Sequence, residues 1–322
     1  MSSASGPSSS PQASSPAANT GNAGTATLLS PLFMQSLDKL DVLSRKILTG
    51  KLQGDRRSKQ RGQSVEFADY RPYVAGDDLR FIDWNLFARL DKLFLRLFME
   101  EQDLSVTIAV DLSRSMHYGK PDKSHYARQL AAALGYISLV NFNRVSVMAF
   151  SDGKMEAQRN LRGRRPIKQM LSFLASTMPA PTAGPTSLSQ FTRKLVLSSP
   201  GKGMIILISD FMDKGDMDEA LAPLASDRWD VHALQVLSPQ EMDPRKDTLV
   251  GDMQLRDMED DDLTEVTMSP ELLKRYQENL EAYCAMVRQS CLKRNVSYAL
   301  AESGVPFETM VLQHLRQRGL LG

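Results

Sequence analysis

The chain has 322 residues, of which 42% are hydrophobic and 24% are charged, and its formal net charge is +1 at pH 7. This length accommodates one large domain together with a smaller one, and the composition is that of a soluble globular protein. The balanced charge favours neither nucleic acid nor an anionic membrane as a partner, and no segment reaches the ~18 uninterrupted apolar residues that a membrane span needs.

The first 103 residues divide into a tail and a small N-terminal unit. Residues 1–27 consist almost entirely of Ser, Ala, Pro, Gly, Thr and Asn without a charged side chain, so we expect a disordered low-complexity tail. Apolar residues recur at helical spacing from Leu28 to Gln53, which predicts one amphipathic helix. Residues 28–103 would combine this helix with a β-rich segment.

Aromatic residues, arginines and aspartates alternate at short range in residues 64–98. This pattern favours strands and turns over helix. We expect the segment to pack beside the larger domain through aromatic side chains and to contain buried Arg/Asp pairs that are costly to break. The residues concerned are Tyr70, Tyr73 and Trp84 for the apolar area, and Arg80 and Asp83 for the pairs.

In residues 104–322, strand-like and helix-like patterns alternate. Strands are predicted at 104–110, 144–150, 204–209, 230–237 and 296–301, an edge hairpin at 249–256, and helices at 123–141, 166–176, 187–197, 217–226, 270–294 and 306–318. The alternation predicts an α/β fold, a doubly wound and mostly parallel sheet with helices on both faces.

Cys284 and Cys291 are seven residues apart on the longest predicted helix. This spacing separates them by roughly 10 Å, which is too far for a disulfide. Two free thiols fit a cytoplasmic protein.

The most informative motif is Asp111-Leu112-Ser113-Arg114-Ser115, which follows directly on the buried-strand pattern 104–110. In an open α/β sheet, ligands bind at the carboxyl ends of the strands. One carboxylate and two hydroxyls at alternate positions are hard oxygen donors that suit Mg²⁺ or another divalent cation. The same residues would also form an ordinary Asx or Ser turn, so the motif alone leaves both interpretations open.

Two further oxygen groups occupy comparable positions. A second buried-strand pattern ends at Asp210, and a turn at 183–187 offers the Thr186 hydroxyl ahead of an amphipathic segment. The order of these groups resembles the metal-ion-dependent adhesion site of von Willebrand factor A domains. That resemblance implies metal binding, directly or through water, with an acidic residue of a partner protein completing the coordination shell. The implied ligands are Asp111, Ser113, Ser115, Thr186 and Asp210.

A longer stretch of sequence resembles one bacterial family. Residues 66–84 read E-F-x-D-Y-R-x-Y-x-x-G-D-D-x-R-x-I-D-W, and Ala88-Arg89 and the D-x-S-x-S motif follow. This pattern is similar to the family called domain of unknown function 58, whose members join a β segment to a von Willebrand factor A-like domain. The resemblance covers the chain from about Arg61 to the C-terminus. Many relatives have G-G-T-D in the threonine loop, where this chain has Gly184-Pro185-Thr186-Ser187.

The resemblance implies a metal-dependent protein-interaction module and not an enzyme. Such proteins are often encoded beside MoxR-type AAA+ ATPases and act with them, which implies an adaptor in a chaperone-like role. Two alternatives stay open, namely a Mg²⁺-dependent phosphatase or hydrolase using the same site, and a degenerate site in a structural domain.

The sequence contains no G-x-x-x-x-G-K-[ST] loop, G-x-S-x-G elbow or H-E-x-x-H motif. An aspartyl nucleophile of the phosphatase type would want a second Asp where Ser113 stands.

Overall fold

The structure, a computed structural model, describes eleven ranges of the chain. Several predictions from the sequence concern residues outside them: the tail at 1–27, the helix beyond residue 42 and the threonine loop at 183–186. The described ranges are 28–42, 66–99, 104–151, 154–177, 187–199, 201–213, 215–244, 252–256, 263–267, 269–316 and 320–321.

The chain begins its described part with a short helix, α1 (Pro31–Leu37), which has a proline in its first turn. The helix is shorter than the predicted 28–53. The chain leaves it after Leu37, because the following residues turn into the core and Val42 forms an antiparallel bridge with Leu321. The buried side chains of α1 belong to the same hydrophobic cluster as the main sheet.

The β-rich segment contains two antiparallel strands, β1 (Glu66–Pro72) and β2 (Phe94–Met99), which pair in a sheet of their own. A 3-10 helix at Leu79–Phe81 and helix α2 (Trp84–Leu90) lie between them. The predicted strands and turns are present, whereas α2 was not predicted. The carboxylate of Asp83 starts this helix, because it accepts hydrogen bonds from two backbone N–H groups of the first turn.

The prediction that aromatic residues of this segment pack beside the main domain is wrong for Trp84. Its side chain is 60% exposed, and Val74 and Leu79 are similarly exposed at 61% and 58%. The predicted buried Arg/Asp pairing is also wrong for Arg80, which pairs with Asp78 in an exposed position.

The other eight strands of the described ranges form one large sheet and one hairpin. They are β3 (Ser105–Asp111), β4 (Arg144–Ser151), β5 (Lys154–Arg162), β6 (Gly203–Ser209), β7 (Trp229–Leu237), β8 (Asp252–Arg256), β9 (Leu263–Thr267) and β10 (Ser297–Glu302). Strands β8 and β9 pair with each other, and the other six lie in the order β10-β7-β6-β3-β4-β5. All neighbours in this sheet are parallel except β4 and β5. The predicted doubly wound, mostly parallel sheet is confirmed.

Helices cover the sheet on both faces. They are α3 (Lys123–Val140), α4 (Ile167–Ser176), α5 (Leu188–Ser198), α6 (Met217–Leu221), α7 (Pro239–Met242), α8 (Pro270–Lys293) and α9 (Phe307–Thr309), which continues as a π-helix through Met310–Leu315. Helix α6 is shorter than the predicted 217–226, because it gives way to a 3-10 turn at Ala222–Leu224 that contains Pro223. Among the described residues, no helix has the length and apolar character to cross a membrane.

Two hydrophobic clusters fill the space between sheet and helices. Successive residues of β6 alternate between them, as expected for a strand buried on both faces. Ile206 and Ile208 pack with α3 and α4 on one side, whereas Ile205 and Leu207 pack with α5, α6 and α8 on the other. The carboxyl ends of β3, β6 and β7 are thereby fixed side by side at one edge of the sheet.

Candidate metal centre

Oxygen-bearing side chains meet where β3 and β6 end. These strands are parallel neighbours, so Asp111 at the end of β3 and Ser209 at the end of β6 lie at the same edge. The cavity between them has a volume of ≈ 10 Å³, about the space that one water-sized sphere needs. Thr186 lies outside the described residues. The other four predicted ligands all line this cavity: Asp111, Ser113, Ser115 and Asp210.

The Asp111 carboxylate is buried and hydrogen-bonded through both oxygens. Oδ1 accepts a 2.8 Å bond from the backbone N–H of Ser113, and Oδ2 accepts a 2.6 Å bond from the hydroxyl of Ser209. The hydroxyls of Ser113 and Ser115 lie 3.0 Å apart. Burial, together with the neighbouring Asp210 carboxylate, raises the pKa of Asp111 to about 7. A cation in the cavity would offset both effects, because it favours the charged carboxylate.

Asp210, the residue after β6, is also held by several donors. Its Oδ1 accepts a 3.1 Å hydrogen bond from the N–H of Met212, and its backbone carbonyl accepts one of 2.9 Å from the side chain of Gln235 on β7. Its Oδ2 lies 2.9 Å from Nζ of Lys123, the first residue of α3. Asp210 is 1% exposed and Lys123 is fully buried. The carboxylate therefore faces a built-in positive charge.

Lys123 has a second carboxylate partner, Glu241, 2.5 Å from Nζ. Glu241 also forms a capping box with Ser238 at the start of α7, which follows β7. Burial alone would lower the pKa of the Lys123 ammonium, but Asp210 and Glu241 outweigh burial and raise this pKa above its ordinary value. The lysine is thus charged, and it connects the segments that follow β3, β6 and β7.

Sequence reasoning missed Lys123, although the sequence contained one signal. A lysine in the first turn of a helix opposes the helix dipole, which favours acidic residues there. A compensating acidic partner was therefore to be expected. The identity of that partner was hidden, because Asp210 and Glu241 lie 87 and 118 residues further along the chain.

The loop after β6 completes the wall of the cavity. Phe211 has a left-handed backbone conformation (φ 58°), which is strained for a residue with a bulky side chain. Its buried ring and a hydrogen bond from the Tyr283 hydroxyl to its carbonyl oxygen stabilise this conformation. Asp213 accepts a 2.6 Å hydrogen bond from the N–H of Leu188, which joins this loop to the start of α5.

The donor set of the cavity fits a hard divalent cation. Within the ranges that the structure describes, no group of three or more His, Cys, Asp or Glu side chains could hold a metal ion. A cation here would therefore use the hydroxyls of Ser113 and Ser115 beside the carboxylates. Oxygen donors of this kind, with water in the remaining positions, suit Mg²⁺. The side chain of His117, two residues after Ser115, does not line the cavity. It is exposed and pairs with Asp122 at 2.9 Å.

Comparison with known families identifies the chain. Residues 69–284 match the family described as "Protein of unknown function DUF58". The chain belongs to this family. The predicted family is therefore confirmed, and the matched region of this DUF58 protein runs from β1 into α8. It contains the five predicted ligand positions as well as Lys123 and Glu241.

Individual relatives and structures are similar to this DUF58 protein over most of its length. "Uncharacterized protein Rv1480" of Mycobacterium tuberculosis and "Uncharacterized protein Mb1516" of Mycobacterium bovis are each 27% identical to it over 262 residues, which cover 81% of both chains. Among solved structures, the conserved hypothetical protein BatB from Bacteroides thetaiotaomicron is 18% identical, with 67% of this chain and 98% of that chain covered and a TM-score of 0.42. The SpRpn10 VWA domain is 6% identical, with 66% and 95% covered and a TM-score of 0.38.

Proposed function

We propose that this DUF58 protein is a metal-dependent protein-binding module. The observation that carries the proposal is the convergence of carboxylate and hydroxyl oxygens on one ion-sized cavity at the carboxyl edge of the sheet. Asp111, Ser113 and Ser115 would hold Mg²⁺, with Asp210 and Thr186 contributing directly or through water. When bound, the metal supplies a positive charge that an acidic side chain of a partner can coordinate.

The chain's own residues prepare this cavity for a cation. The hydroxyl of Ser209 orients Asp111, and the N–H of Met212 orients Asp210, so both carboxylates are held at the cavity before a cation binds. The raised pKa of Asp111 means that metal and proton compete for the same carboxylate. A binding module of this kind gains affinity from the metal bridge and from the surface around it.

The partner that we propose is a MoxR-type AAA+ ATPase, for which this protein would act as an adaptor in a chaperone-like role. Membership of the DUF58 family supports this choice, because the family resemblance links such proteins to MoxR-type ATPases. An acidic side chain on the ATPase would complete the coordination of the metal. The exposed apolar side chains of the β-rich segment offer additional contact area.

The decisive experiment is a pull-down with the purified MoxR-type ATPase of the same organism. We expect the wild type to bind the ATPase in Mg²⁺ and to release it in EDTA, and we expect Asp111→Ala not to bind. Asp227→Ala is the matched control, because this exposed aspartate precedes β7 at the opposite edge of the sheet. Equal binding under all conditions contradicts the proposal. Turnover of a phosphoester that requires Mg²⁺ and Asp111 would favour the hydrolase alternative.

A further inference from the structure

Lys123 is buried and contacts Asp210, but it is not one of the predicted metal ligands. We infer that Lys123 is the resident cation of the candidate metal centre, and that its ammonium positions and neutralises Asp210 when no divalent cation is bound. This inference deepens the proposed function, on which its statement about metal competition rests. The role of Lys123 in the metal-free protein does not depend on the proposed function and is tested separately.

The Lys123 ammonium contacts two carboxylates at once. Nζ lies 2.9 Å from Asp210 Oδ2 and 2.5 Å from Glu241 Oε1. The Lys123 and Asp210 side chains are 0% and 2% exposed, so solvent screens their attraction very little. Such short, buried, charge-assisted hydrogen bonds fix the direction of a carboxylate.

Removing the ammonium would leave an excess of negative charge at this edge. Asp111 and Asp210 line the same cavity, and Glu241 is the second partner of Lys123. Loss of one member of a buried ion pair leaves an uncompensated charge, which is strongly destabilising. Lysine suits this place because its compact ammonium can contact two carboxylates from a single flexible stem.

The position of Lys123 in the fold makes its effect on the centre structural as well as electrostatic. It starts the helix after β3, Asp210 directly follows β6, and Glu241 belongs to the helix after β7. These three strands are adjacent in the sheet. One ammonium therefore holds three neighbouring loops together, so that the cavity keeps its shape without a metal.

A divalent cation would have to share Asp210 with this ammonium. Two cations near one carboxylate repel each other, and in a partly buried site this repulsion is large. The resident lysine should therefore weaken Mg²⁺ binding compared with a site that lacks it. Lys123 is accordingly a positioning residue that sets the affinity of the centre, and it is not itself a metal ligand.

The first test uses thermal melting in EDTA, followed by circular dichroism. We expect Lys123→Met to lower Tm steeply. We expect the triple variant with Asp210→Asn and Glu241→Gln to melt well above Lys123→Met, because its partners no longer carry unpaired charge. Lys168→Met, on the exposed face of α4, is the control and should melt like the wild type. A triple variant as unstable as Lys123→Met, or a Lys123→Met protein that melts like the wild type, overturns the inference.

The second test measures Mg²⁺ by titration calorimetry and by the rise in Tm that it causes. We expect Lys123→Met to bind Mg²⁺ at least about tenfold more tightly than the wild type. We also expect Mg²⁺ to raise the Tm of this variant by the larger amount, a result that remains measurable if the metal-free variant is poorly folded. Equal affinity and equal shifts contradict the resident-cation role and leave the proposed function standing. If Mg²⁺ binds no variant, the proposed function fails, and the melting curves in EDTA alone decide the role of Lys123.

Discussion

The hydroxyl of Ser209 donates a 2.6 Å hydrogen bond to Oδ2 of Asp111, and so connects the end of β6 to the end of β3. The same hydroxyl accepts a 2.9 Å hydrogen bond from the N–H of Phe211. One buried side chain thereby joins the loop that carries the D-x-S-x-S motif to the loop that carries Asp210. The parallel pairing of the two strands makes this contact possible, so the geometry of the centre depends on the register of the sheet.

Ser209→Ala should lower the free energy of unfolding by about 1–3 kcal/mol. The substitution leaves a buried Asp111 oxygen without its donor and the Phe211 N–H without its acceptor. Denaturant unfolding in EDTA measures the effect. Ser176→Ala, at an exposed serine near the end of α4, is the control and should stay within about 0.5 kcal/mol of the wild type. Equal stability of the two variants would show that the Ser209 hydroxyl contributes nothing.

The metal-free protein should lose stability as pH rises from about 4 to about 7. The folded pKa of Asp111, about 7, lies above the ordinary value of 3.8, so the folded state binds more protons than the unfolded state in this interval. The free energy of unfolding then decreases with pH. Asp111→Asn stays neutral and should lack this component, which denaturant unfolding of both proteins at several pH values in EDTA can detect. Parallel pH profiles would be evidence against a buried, protonated Asp111.

In the β-rich segment, neighbouring residues should differ in their effect on stability. Asp83 is buried and accepts hydrogen bonds from the side chains of Arg96 and Tyr70, and the Arg96 guanidinium holds the pKa of Asp83 well below its usual range. Asp83→Ala should therefore lower Tm, and the stabilisation should be lost as pH falls below the ordinary carboxyl range. Trp84→Ala should leave Tm nearly unchanged, because the ring is 60% exposed. If Trp84→Ala lowers Tm as much as Asp83→Ala does, the Trp84 ring is covered in solution.

The fold and the meeting of the two aspartates were predictable because both depend on buried strands. Uninterrupted apolar runs before Asp111 and before Asp210 indicate strands covered on both faces, and parallel strands end at a common edge. Strand β5 gave no such signal. It is an antiparallel edge strand in which only Leu161 is buried, so its sequence is mostly polar. Edge strands have one exposed face, and their pattern resembles that of a loop.

Helix α2 and Lys123 were missed for different physical reasons. The carboxylate of Asp83 ahead of Trp84 is a helix-start signal, but the aromatic residues of the segment are typical of strands and mask it. Lys123 is a long-range case, because both of its partners come from loops that only the folded sheet brings near. Local sequence patterns report backbone preference, and they carry little information on which charges are neutralised across the fold.

The last prediction concerns Thr186. Thr186→Val should weaken Mg²⁺ binding by about 10–100-fold, because the hydroxyl would contribute to the coordination shell directly or through water. Titration calorimetry measures the affinity, and melting in EDTA should be unchanged. Ser187→Ala is the matched control, since the Ser187 hydroxyl accepts a 3.4 Å hydrogen bond from the N–H of Gln190 at the start of α5. That variant should lose about 1 kcal/mol of stability and keep its affinity for Mg²⁺. If Thr186→Val binds Mg²⁺ like the wild type, the ligand set is reduced to Asp111, Ser113, Ser115 and Asp210, and the Gly-Pro-Thr-Ser loop marks a real departure from the family pattern.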